Sequence, residues 1–583
     1  MRLSEVVIQN FCSCEAVTVP LSYFNPIVGY NNSGKSNILR AINWLLKKSV
    51  LPSHMFNKAD EAVIVEGVIE NVDLTLLPGN QSEAVAPYVH EGALKVRRRQ
   101  DSVVSTAAQI KLDVYDYATA TWKGNPAGLD NALSVLFPEP LYIEAMEDAG
   151  EDIAKFGAKN TIGLLLKRVL ERIHANNQQA VAAMQAALAQ VSGHLNGAAR
   201  MTELNQFETE ATAAIASFFP GLSFHVNFAT PAIDELFKSS TINLSEAVGS
   251  SRPFASFGHG AQRSAHMALI KLLADVNAAG GANPVGTTVL LIDEPELYLH
   301  PQAIELLRAS LLRLSTQNFQ VVFSTHSPLL VGAEHALQTL MIYKDAQHRT
   351  IAREKLQSAA AAFHANPHHT EVIFSLQSAA HLLFSNKVLL VEGKTETLLV
   401  PQIYQTSHGR SYAHDKGCLV SGASSSALLP MMQVLRAVGF SPKAVADLDF
   451  AFKVAPAHVI DPTHAAILSC KAWFQANAAT LGVFLDEGGM PSKRENQGSR
   501  FSAIPPAKAF EHMAAACQDE VAEIVRVLHC HDIWLWPCGA IEAHLGIEKT
   551  AAAQMQFVNT ARQTGTLDHA GRAEDLHRFA QWM

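Results

Sequence analysis

The chain has 583 residues and a mass of 63.1 kDa, which at about 150 residues per domain predicts roughly four modules and excludes a single small fold. Hydrophobic residues make up 48% of it, yet no stretch reaches the about 18 uninterrupted apolar residues of a membrane-spanning helix. The net charge of −9 excludes a uniformly basic surface, so any contact with nucleic acid must be local. Seven cysteines without a CxxC pair predict neither disulfides nor a zinc ribbon, and a reducing cytoplasm is the simplest compartment.

The first 150 residues are predicted to form short strands around one helix. Alternating or apolar runs predict strands at 3–11, 26–28, 62–70, 93–100 and 110–117, and helical periodicity predicts a helix at 35–46. The densest basic run lies within the strand at 93–100, where alternation puts Lys95, Arg97 and Arg99 on one face. We expect a solvated edge strand protected by charge, with contact to DNA phosphate as the alternative.

The remaining chain divides by composition. Residues 151–219 are rich in Ala, Gln, Leu and Glu with helical periodicity, which predicts an inserted helical arm. Strand character returns at 222–228, 289–292 and 320–324, and we interpret each as a continuous apolar run that is typical of buried parallel strands. We expect an α/β domain in two parts (1–150 and 221–345), the arm (151–220), a linker (346–384) and a second α/β domain (385–583) that begins with a strand at 387–391.

A glycine-rich segment from Gly29 to Ser36 fits the GxxxxGK[ST] pattern between an apolar strand and a helix. Backbone N–H groups and the helix amino terminus would surround phosphates, Lys35 would reach the β and γ phosphates, and Ser36 would ligate Mg²⁺. The predicted nucleotide-binding residues of this loop are Asn31, Asn32, Ser33, Gly34, Lys35, Ser36 and Asn37.

Two acids follow the apolar run at 289–292. They would supply the acidic half of a nucleotide-binding site, opposite the glycine-rich loop. Asp293 is predicted to hold magnesium through water, and Glu294 to polarise the attacking water. An acidic pair after a strand is a weak signal alone and a strong one beside the glycine-rich loop. ATP with Mg²⁺ is therefore the predicted ligand.

Two further segments, SFGHGAQR at 256–263 and STHSP at 324–328, give the chain an order and spacing that resembles the ABC-type ATPase head. By that resemblance, the loop with Gly258, Gly260 and Gln262 is a signature motif that caps the γ-phosphate of a partner subunit. His326 is by the same resemblance the switch histidine, although taken alone it would more often be an ordinary histidine at a strand end. The loop departs from the form found in transporters.

The second α/β domain carries acids at the ends of two apolar strands. Glu392 and Glu396 stand in VEGKTE, and Asp447 and Asp449 stand in DLD, where alternation turns both side chains the same way. Glu392, Asp447 and Asp449 are predicted to share a pocket whose hard oxygen ligands suit Mg²⁺, with Mn²⁺ as an alternative.

VEGKTE followed by DxD resembles a Toprim domain, as found in topoisomerases, primases and certain nucleases. The resemblance implies that Glu396 belongs to the catalytic acids, that Glu542 is a late metal ligand, and that Lys549 stabilises charge in the transition state. A solvated helix start explains Glu542 and Lys549 equally well.

An ABC-type head with a helical insertion, followed by Toprim, resembles the OLD (overcoming lysogenisation defect) family of nucleases, which includes the nuclease subunit of Gabija defence systems. EPELYLHP at 294–301 also resembles that family's extended Walker B segment. The resemblance implies an ATP-regulated, divalent-metal-dependent DNA endonuclease or nickase in antiphage defence. An ATP-dependent DNA clamp or sensor without cleavage activity is the alternative, and the intact acids favour the nuclease.

One phosphate loop and one signature loop per chain predict at least a homodimer, because a signature loop completes the nucleotide site of another subunit. The helical arm is the expected contact, since a small insertion alone would cover its apolar faces poorly. Those faces contain Leu164, Leu165 and Val169, then Met184, Leu188 and Val191. DNA is the expected substrate, no membrane is involved, and a helicase or reverse transcriptase encoded alongside remains open as a further partner.

Overall fold

The structure is a computed structural model, and it describes residues 1–126, 128–137, 140–145, 177–197, 199–219, 221–229, 243–245, 251–278, 286–362, 372–373, 375–376, 380–422, 424–496 and 499–583. The chain divides into two compact units. The first consists of Met1–Asn25 and Lys35–Thr325, and the second of Pro26–Gly34 and His326–Met583. Within the described ranges, no helix is both long and apolar enough to cross a membrane.

The first unit contains an antiparallel sheet in the order β2-β1-β4-β5-β6-β7. Along β4, fully buried residues alternate with partly exposed ones, as expected of a sheet with one face on the core. The six strands are β1 (Arg2–Phe11), β2 (Cys14–Pro20), β4 (Val63–Glu70), β5 (Leu94–Gln100), β6 (Lys111–Asp116) and β7 (Thr121–Gly124).

Helix α1 (Lys35–Leu46) lies against this sheet and forms where the sequence predicts it. Its apolar residues recur at helical spacing, and Ile38, Ile42 and Leu45 are fully buried. Gly67 of β4 permits the close approach, because a Cβ atom there would lie 2.6 Å from Cδ2 of Leu45.

Three parallel strands of the first unit position the acidic end of the predicted nucleotide site. Strands β8 (Leu141–Ile143) and β12 (Phe319–Ser324) pair with β11 (Thr288–Ile292), all of whose residues are buried. Burial on both faces explains the continuous apolar sequence. The other elements of this unit are α2 (Gly79–Val85), α3 (Leu129–Leu136), α4 (Gln178–Asn196), α5 (Thr202–Ala216), β9 (Asn243–Leu244), β10 (Arg252–Pro253), α6 (His259–Ala278) and α7 (Pro301–Ser315).

The prediction of a strand at 222–228 is wrong. Side chains of α5 bind this segment in place of a neighbouring strand: the Thr212 hydroxyl accepts from the N–H of Phe224 at 3.0 Å, and the Glu208 carboxylate accepts from that of Val226 at 2.6 Å. The predicted apolar residues Leu164, Leu165 and Val169 lie outside the described residues.

The second unit has a four-stranded parallel sheet in the order β16-β15-β17-β20. Along β15, Val388 and Leu390 join one apolar cluster while Leu389 and Val391 join another, so the strand is buried on both faces. Its elements are β15 (Lys387–Val391), α10 (Lys394–His408), β16 (Gly417–Ser421), α11 (Ser425–Ala437), β17 (Pro442–Ala446), α12 (Phe450–Lys453), α13 (Ala465–Leu481), β18 (Phe484–Leu485), β19 (Pro491–Ser492), α14 (Pro506–Ala516), α15 (Gln518–His529), β20 (Ile533–Leu535), α16 (Ile541–Leu545), α17 (Ala551–Thr564) and α18 (Ala573–Trp582).

A smaller part of the second unit surrounds the glycine-rich loop. Strand β13 (Leu340–Lys344) pairs in parallel with Ile27 and Val28 of β3 (Phe24–Val28) and antiparallel with β14 (Thr350–Ala352). Helices α8 (Pro328–Val331) and α9 (Leu356–Ala361) complete this part.

An aromatic cluster joins the last helix of the chain to the sheet of the second unit. The ring centroids of Trp534 and Trp582 lie 5.6 Å apart, and those of Trp536 and Phe579 lie 4.9 Å apart. Trp536 and Phe579 are fully buried. The cluster fixes α18 beside β20, the strand that precedes α16 and its Glu542.

Candidate functional site

The glycine-rich loop lies against the β13–β14 hairpin so closely that its glycines have no room for a side chain. Gly34 has a φ of +108°, and a Cβ atom there would lie 2.2 Å from Oγ1 of Thr350. The Thr350 hydroxyl also donates to the carbonyl oxygen of Ser33 at 2.9 Å. At Gly29, a Cβ atom would lie 2.1 Å from the carbonyl oxygen of Ile342. The hairpin therefore fixes the shape of the predicted phosphate loop.

The predicted phosphate-binding residues differ in exposure. Asn31 and Asn32 are exposed, Ser33 and Lys35 are buried, and Gly34, Ser36 and Asn37 are half-buried. The amide nitrogen of Asn37 donates to the Ser13 hydroxyl at 2.9 Å.

Lys35 begins α1 and is only 5% exposed. Burial lowers the pKa of its ammonium group, and the negative charges of Glu294, Asp293 and Glu296 partly oppose this shift. The predicted cation of the loop is thus close to the predicted acids after β11, which is the arrangement that binding of a magnesium nucleotide requires.

Ser324, at the end of β12, orients both acids. Its hydroxyl donates to Oδ1 of Asp293 and accepts from the N–H of Glu294 at 3.0 Å. Glu294 has a φ of +48°, in the left-handed region, which costs a residue with a side chain about 1–2 kcal/mol. Such strain at the predicted water-polarising residue is typical of functional sites.

Two side chains of this site were not assigned from the sequence. Ser324 has the role just described, and Thr325 donates to Oε1 of Glu296 at 2.9 Å. The STHSP segment indicated these roles, because Ser and Thr hydroxyls at the end of one strand can orient acids at the end of the neighbouring strand.

A helix begins within the predicted signature loop, which was expected to precede it. Gly258 precedes α6, whereas Gly260 and Gln262 lie in the first turn of that helix. The carbonyl oxygen of Gly258 accepts from the N–H groups of Ala261 and Gln262 at 2.9 and 3.1 Å, which starts the helix at this point. Gln262 is 3% exposed and its amide nitrogen donates to the carbonyl oxygen of Phe257 at 2.7 Å. His326 is half-buried and follows β12 after one intervening residue.

The parallel pairing of β15 with β17 brings the predicted nuclease acids to one edge of the sheet. Burial, with the nearby carboxylates of Asp449 and Glu396, raises the pKa of Glu392 to about 7. Burial, with the charge of Glu392, raises the pKa of Asp447 well above its ordinary value. The four acids therefore form a group whose negative charges repel one another.

Glu542 and Lys549 belong to the same group. The Lys549 ammonium lies 3.9 Å from Oδ2 of Asp447 and 3.7 Å from Oε1 of Glu542. Burial alone would lower the pKa of Lys549, but the carboxylates outweigh it and raise this pKa. The side chain of Glu542 is 6% exposed, so it is not a solvated residue at a helix start, whereas that of Lys549 is 62% exposed.

The other two acids have local partners. Glu396 accepts from the N–H of Gly393 at 3.0 Å and so caps α10. Asp449 accepts from the ammonium of Lys453 at 2.9 Å. Lys453 was not predicted, although its position four residues after Asp449 on a helix was a signal.

A cavity of about 690 Å³ opens at this edge and is lined by Asp447, Asp449, Lys453 and Lys549. Behind it, Gln554 of α17 donates to Oε1 of Glu542 at 3.4 Å. No pattern in the sequence pointed to Gln554 as a partner of Glu542, because α17 comes beside α16 only in the folded chain.

The residues present fit divalent cations. Among the described residues, Glu392 Oε1, Asp447 Oδ1 and Glu542 Oε2 are buried without a hydrogen-bond partner. Leaving each unsatisfied costs about 1–3 kcal/mol, and a hard cation would satisfy them. In the described part of the chain, no three His, Cys, Asp or Glu side chains already converge closely enough to hold a metal ion. Metal binding would therefore require these side chains to adjust.

Known proteins match both parts of the chain. Residues 1–87 and 146–331 match the AAA ATPase domain family, and residues 383–449 match the family described as Overcoming lysogenization defect protein-like, TOPRIM domain. The chain is similar to the Old nuclease of Escherichia phage P2, with 35% identity over 559 residues that cover 94% of each protein. It is 23% identical to Endonuclease GajA of Bacillus cereus, covering 69% of this chain and 68% of GajA. It is 22% identical to the OLD nuclease of Thermus scotoductus, covering 69% of this chain and 74% of that protein.

These matches confirm the predicted α/β fold, an ABC-type ATPase domain followed by Toprim. The phosphate loop and the acids after β11 lie in the part that matches ATPases, and Glu392, Glu396, Asp447 and Asp449 lie in the part that matches Toprim. The chain therefore belongs to the OLD family, which joins an ATPase domain to a Toprim nuclease domain.

Proposed function

We propose that the protein is an ATP-regulated, divalent-metal-dependent DNA endonuclease or nickase that acts in the cytoplasm in defence against phage. One observation carries the proposal: Glu392, Asp447 and Glu542 each have a buried carboxylate oxygen without a partner in the described structure, and the other oxygens of Asp447 and Glu542 lie near the ammonium of Lys549. Relatives named as nucleases support the nuclease activity, and seven cysteines that form no disulfide support the cytoplasmic location.

The side chains at the Toprim edge have distinct roles in this proposal. Glu392, Asp447, Asp449 and Glu542 would hold Mg²⁺ or Mn²⁺, which when bound neutralises charge on the phosphodiester and aligns it. Lys549 is held between two carboxylates at the mouth of the site, where its ammonium stabilises negative charge developing on the phosphate.

The division of the chain into two units supports regulation by ATP. The end of β3 and the phosphate loop up to Gly34 belong to the same compact unit as the Toprim sheet. A loop that changes shape when nucleotide binds would therefore alter contacts inside the nuclease unit itself. Lys35 and Asp293 would hold the magnesium nucleotide while Glu294 orients the attacking water.

We also propose a homodimer with the helical arm as a principal contact. Helices α4 and α5 contain no buried residue, and Met184 and Val191 of α4 are 55% and 49% exposed. Apolar side chains left exposed along one helix favour burial against a partner.

Plasmid cleavage tests the nuclease assignment. We expect the wild type to nick supercoiled DNA with Mg²⁺ or Mn²⁺ and to stop when EDTA is added. The Asp447→Ala/Asp449→Ala variant should lose cleavage and keep ATP hydrolysis. Asp519→Asn, which changes an exposed acid of α15 in the same unit, should cleave normally. Nicking by the double variant at the wild-type rate would assign the chemistry to another site.

The same assay separates the alternative, an ATP-dependent DNA clamp or sensor. The absence of a converged set of three metal-binding side chains among the described residues favours it. A wild type that binds plasmid in an ATP-dependent manner, but cleaves with neither metal, would be such a clamp.

A further inference from the structure

A cavity of about 330 Å³ lies within the second unit, beside the phosphate loop. The cavity is lined by Gly29 and Tyr30 of the loop and by residues of β13 up to Lys344. Residues that precede the Toprim strands close the other side, among them Lys416, which stands directly before β16. The cavity thus touches the nucleotide-binding loop and the nuclease sheet at once, at the ends of the strands opposite the acids.

The charged side chains that line this cavity are all cationic. Lys344, Arg353 and Lys416 line it, and its lining among the described residues includes no carboxylate. The acids next to these lysines in sequence are engaged elsewhere. Asp345 pairs with Arg349 at 2.7 Å, and Asp415 pairs with Arg410 at 2.9 Å. Three cations around one small space repel one another until an anion joins them.

Arg353 is pre-organised for such an anion. Its guanidinium carbon lies 4.5 Å from the ring centre of Tyr343 and 4.3 Å from that of Phe440, so two aromatic rings pack against it. A partner must then approach in the plane of the guanidinium, where its N–H donors point. Its Nε is buried and has no hydrogen-bond acceptor among the described residues. A planar fork held in this way suits the oxygens of a phosphate.

We propose that this cavity is a second anion site, distinct from the ATP site, which binds a small phosphate-bearing molecule. A volume of 330 Å³ is at the lower end of the about 300–1,000 Å³ typical of ligand pockets, which suits a diphosphate or a mononucleotide. Three cations match a group of two or more negative charges better than a single carboxylate. Neither Lys35 nor Asp293 lines the cavity.

The site is coupled to the phosphate loop through Tyr30. The phenol oxygen of Tyr30 accepts from the N–H of Lys344 at 2.9 Å, so a ligand on Lys344 acts on the same hairpin that holds the loop. By linkage, a ligand that favours one shape of the loop changes the affinity for ATP, and ATP changes the affinity for the ligand. The site would regulate the ATPase by the supply of a phosphate compound.

The test is calorimetric titration of the full-length Lys35→Ala protein, in which the ATP site is disabled. Inorganic pyrophosphate and AMP are the two probes, and they distinguish a bare diphosphate from a nucleotide. We expect at least one to bind with a stoichiometry of one per chain. The Lys344→Gln/Lys416→Gln variant in the same background should bind it at least about tenfold more weakly. Arg353→Lys keeps the charge but not the planar fork and should weaken binding as well.

Lys387→Gln provides the matched control, because Lys387 is an exposed lysine beside this region that does not line the cavity. It should bind the probe like its parent. The proposal is overturned if neither probe binds the Lys35→Ala protein, or if the Lys344→Gln/Lys416→Gln and Arg353→Lys variants both bind with unchanged affinity. These titrations contain no DNA and no divalent metal, so their outcome is independent of the proposed nuclease function.

Discussion

A single hydroxyl, that of Ser324, serves both acids after β11 in the nucleotide site. We expect Ser324→Ala to lower the free energy of unfolding by about 1–3 kcal/mol, because a buried oxygen of Asp293 then loses its donor. ATP turnover should fall as well, since Asp293 and Glu294 lose their common anchor. Urea titration and phosphate release measure the two effects.

Ser315 supplies a matched control for this change. It is also a buried serine of the first unit, and its hydroxyl donates only to the carbonyl oxygen of Leu312, within its own helix. Ser315→Ala should leave ATP turnover unchanged. Equal turnover defects in both variants would mean that Ser324 acts only through general stability.

Lys35 and Glu294 are expected to separate binding of ATP from its hydrolysis. Lys35→Ala should abolish nucleotide binding, because it removes the buried ammonium of the loop. Glu294→Gln should bind ATP and hydrolyse it about 10²–10⁴-fold more slowly, since only the group that polarises water is lost. Equilibrium binding and steady-state turnover check both. Wild-type turnover in Glu294→Gln would refute the assignment.

At the scale of elements, β5 illustrates what the sequence leaves out. Its basic residues suggested a solvated edge strand, yet β5 pairs with β4 on one side and β6 on the other. Lys95 pairs with Glu66 at 3.0 Å and Arg97 with Asp113 at 2.8 Å, so neighbouring strands neutralise the run. Position in a sheet depends on long-range pairing, which local alternation does not encode.

Elements with one dominant local signal were predicted almost to the residue. Helix α1 and strand β15 have the predicted bounds, because a helical apolar stripe and a short continuous apolar run leave few alternatives. The segment at 222–228 failed for the opposite reason. Its apolar residues are interrupted by polar ones, side chains of α5 satisfy its backbone, and no strand is paired with it among the described residues.

The contact between the phosphate loop and the β13–β14 hairpin gives a prediction at this scale. Gly34→Ala should abolish nucleotide binding, since the new methyl group would meet Thr350 at a backbone angle that favours glycine. Gly79→Ala, where no atom lies within 4 Å of the added carbon, should bind ATP normally. Titration with a fluorescent ATP analogue compares them. Normal ATP binding by Gly34→Ala would show that the β13–β14 hairpin moves to accommodate the added methyl group.

At the scale of the whole molecule, the arm should decide the oligomeric state. Met184 and Val191 are seven residues apart on α4, so their side chains share one helix face. We expect wild-type protein to be at least dimeric by light scattering and Met184→Glu/Val191→Glu to dissociate. The single chain should tolerate these charges because both positions are exposed.

Gln185→Glu is the control for the arm, since it adds a charge at an exposed neighbouring position of the same helix. It should keep the wild-type oligomer. A monomeric wild type would refute the dimer, and an oligomer unchanged by the double substitution would move the interface away from this face.

The sequence predicted where the candidate acids lie better than it predicted the side chains that surround them. Acids at strand ends, such as Asp293 and Asp447, follow from local patterns, because parallel strands expose their carboxyl ends at one edge. Their partners come from distant segments: Ser324 stands at the end of another strand, and Gln554 on a late helix. Such partners depend on tertiary packing, which one sequence does not display.

The aromatic cluster beside β20 places tryptophan side chains next to the Toprim sheet, so their fluorescence reports on this part of the molecule. Trp534, Trp536 and Trp582 are three of the six tryptophans of the chain. Trp536 also lies 5.0 Å, between ring centroids, from His544, which shares a short helix with Glu542. Movement of that helix when cations reach the acids should therefore change tryptophan emission, so unlabelled protein can report metal binding in real time and before any DNA is cut.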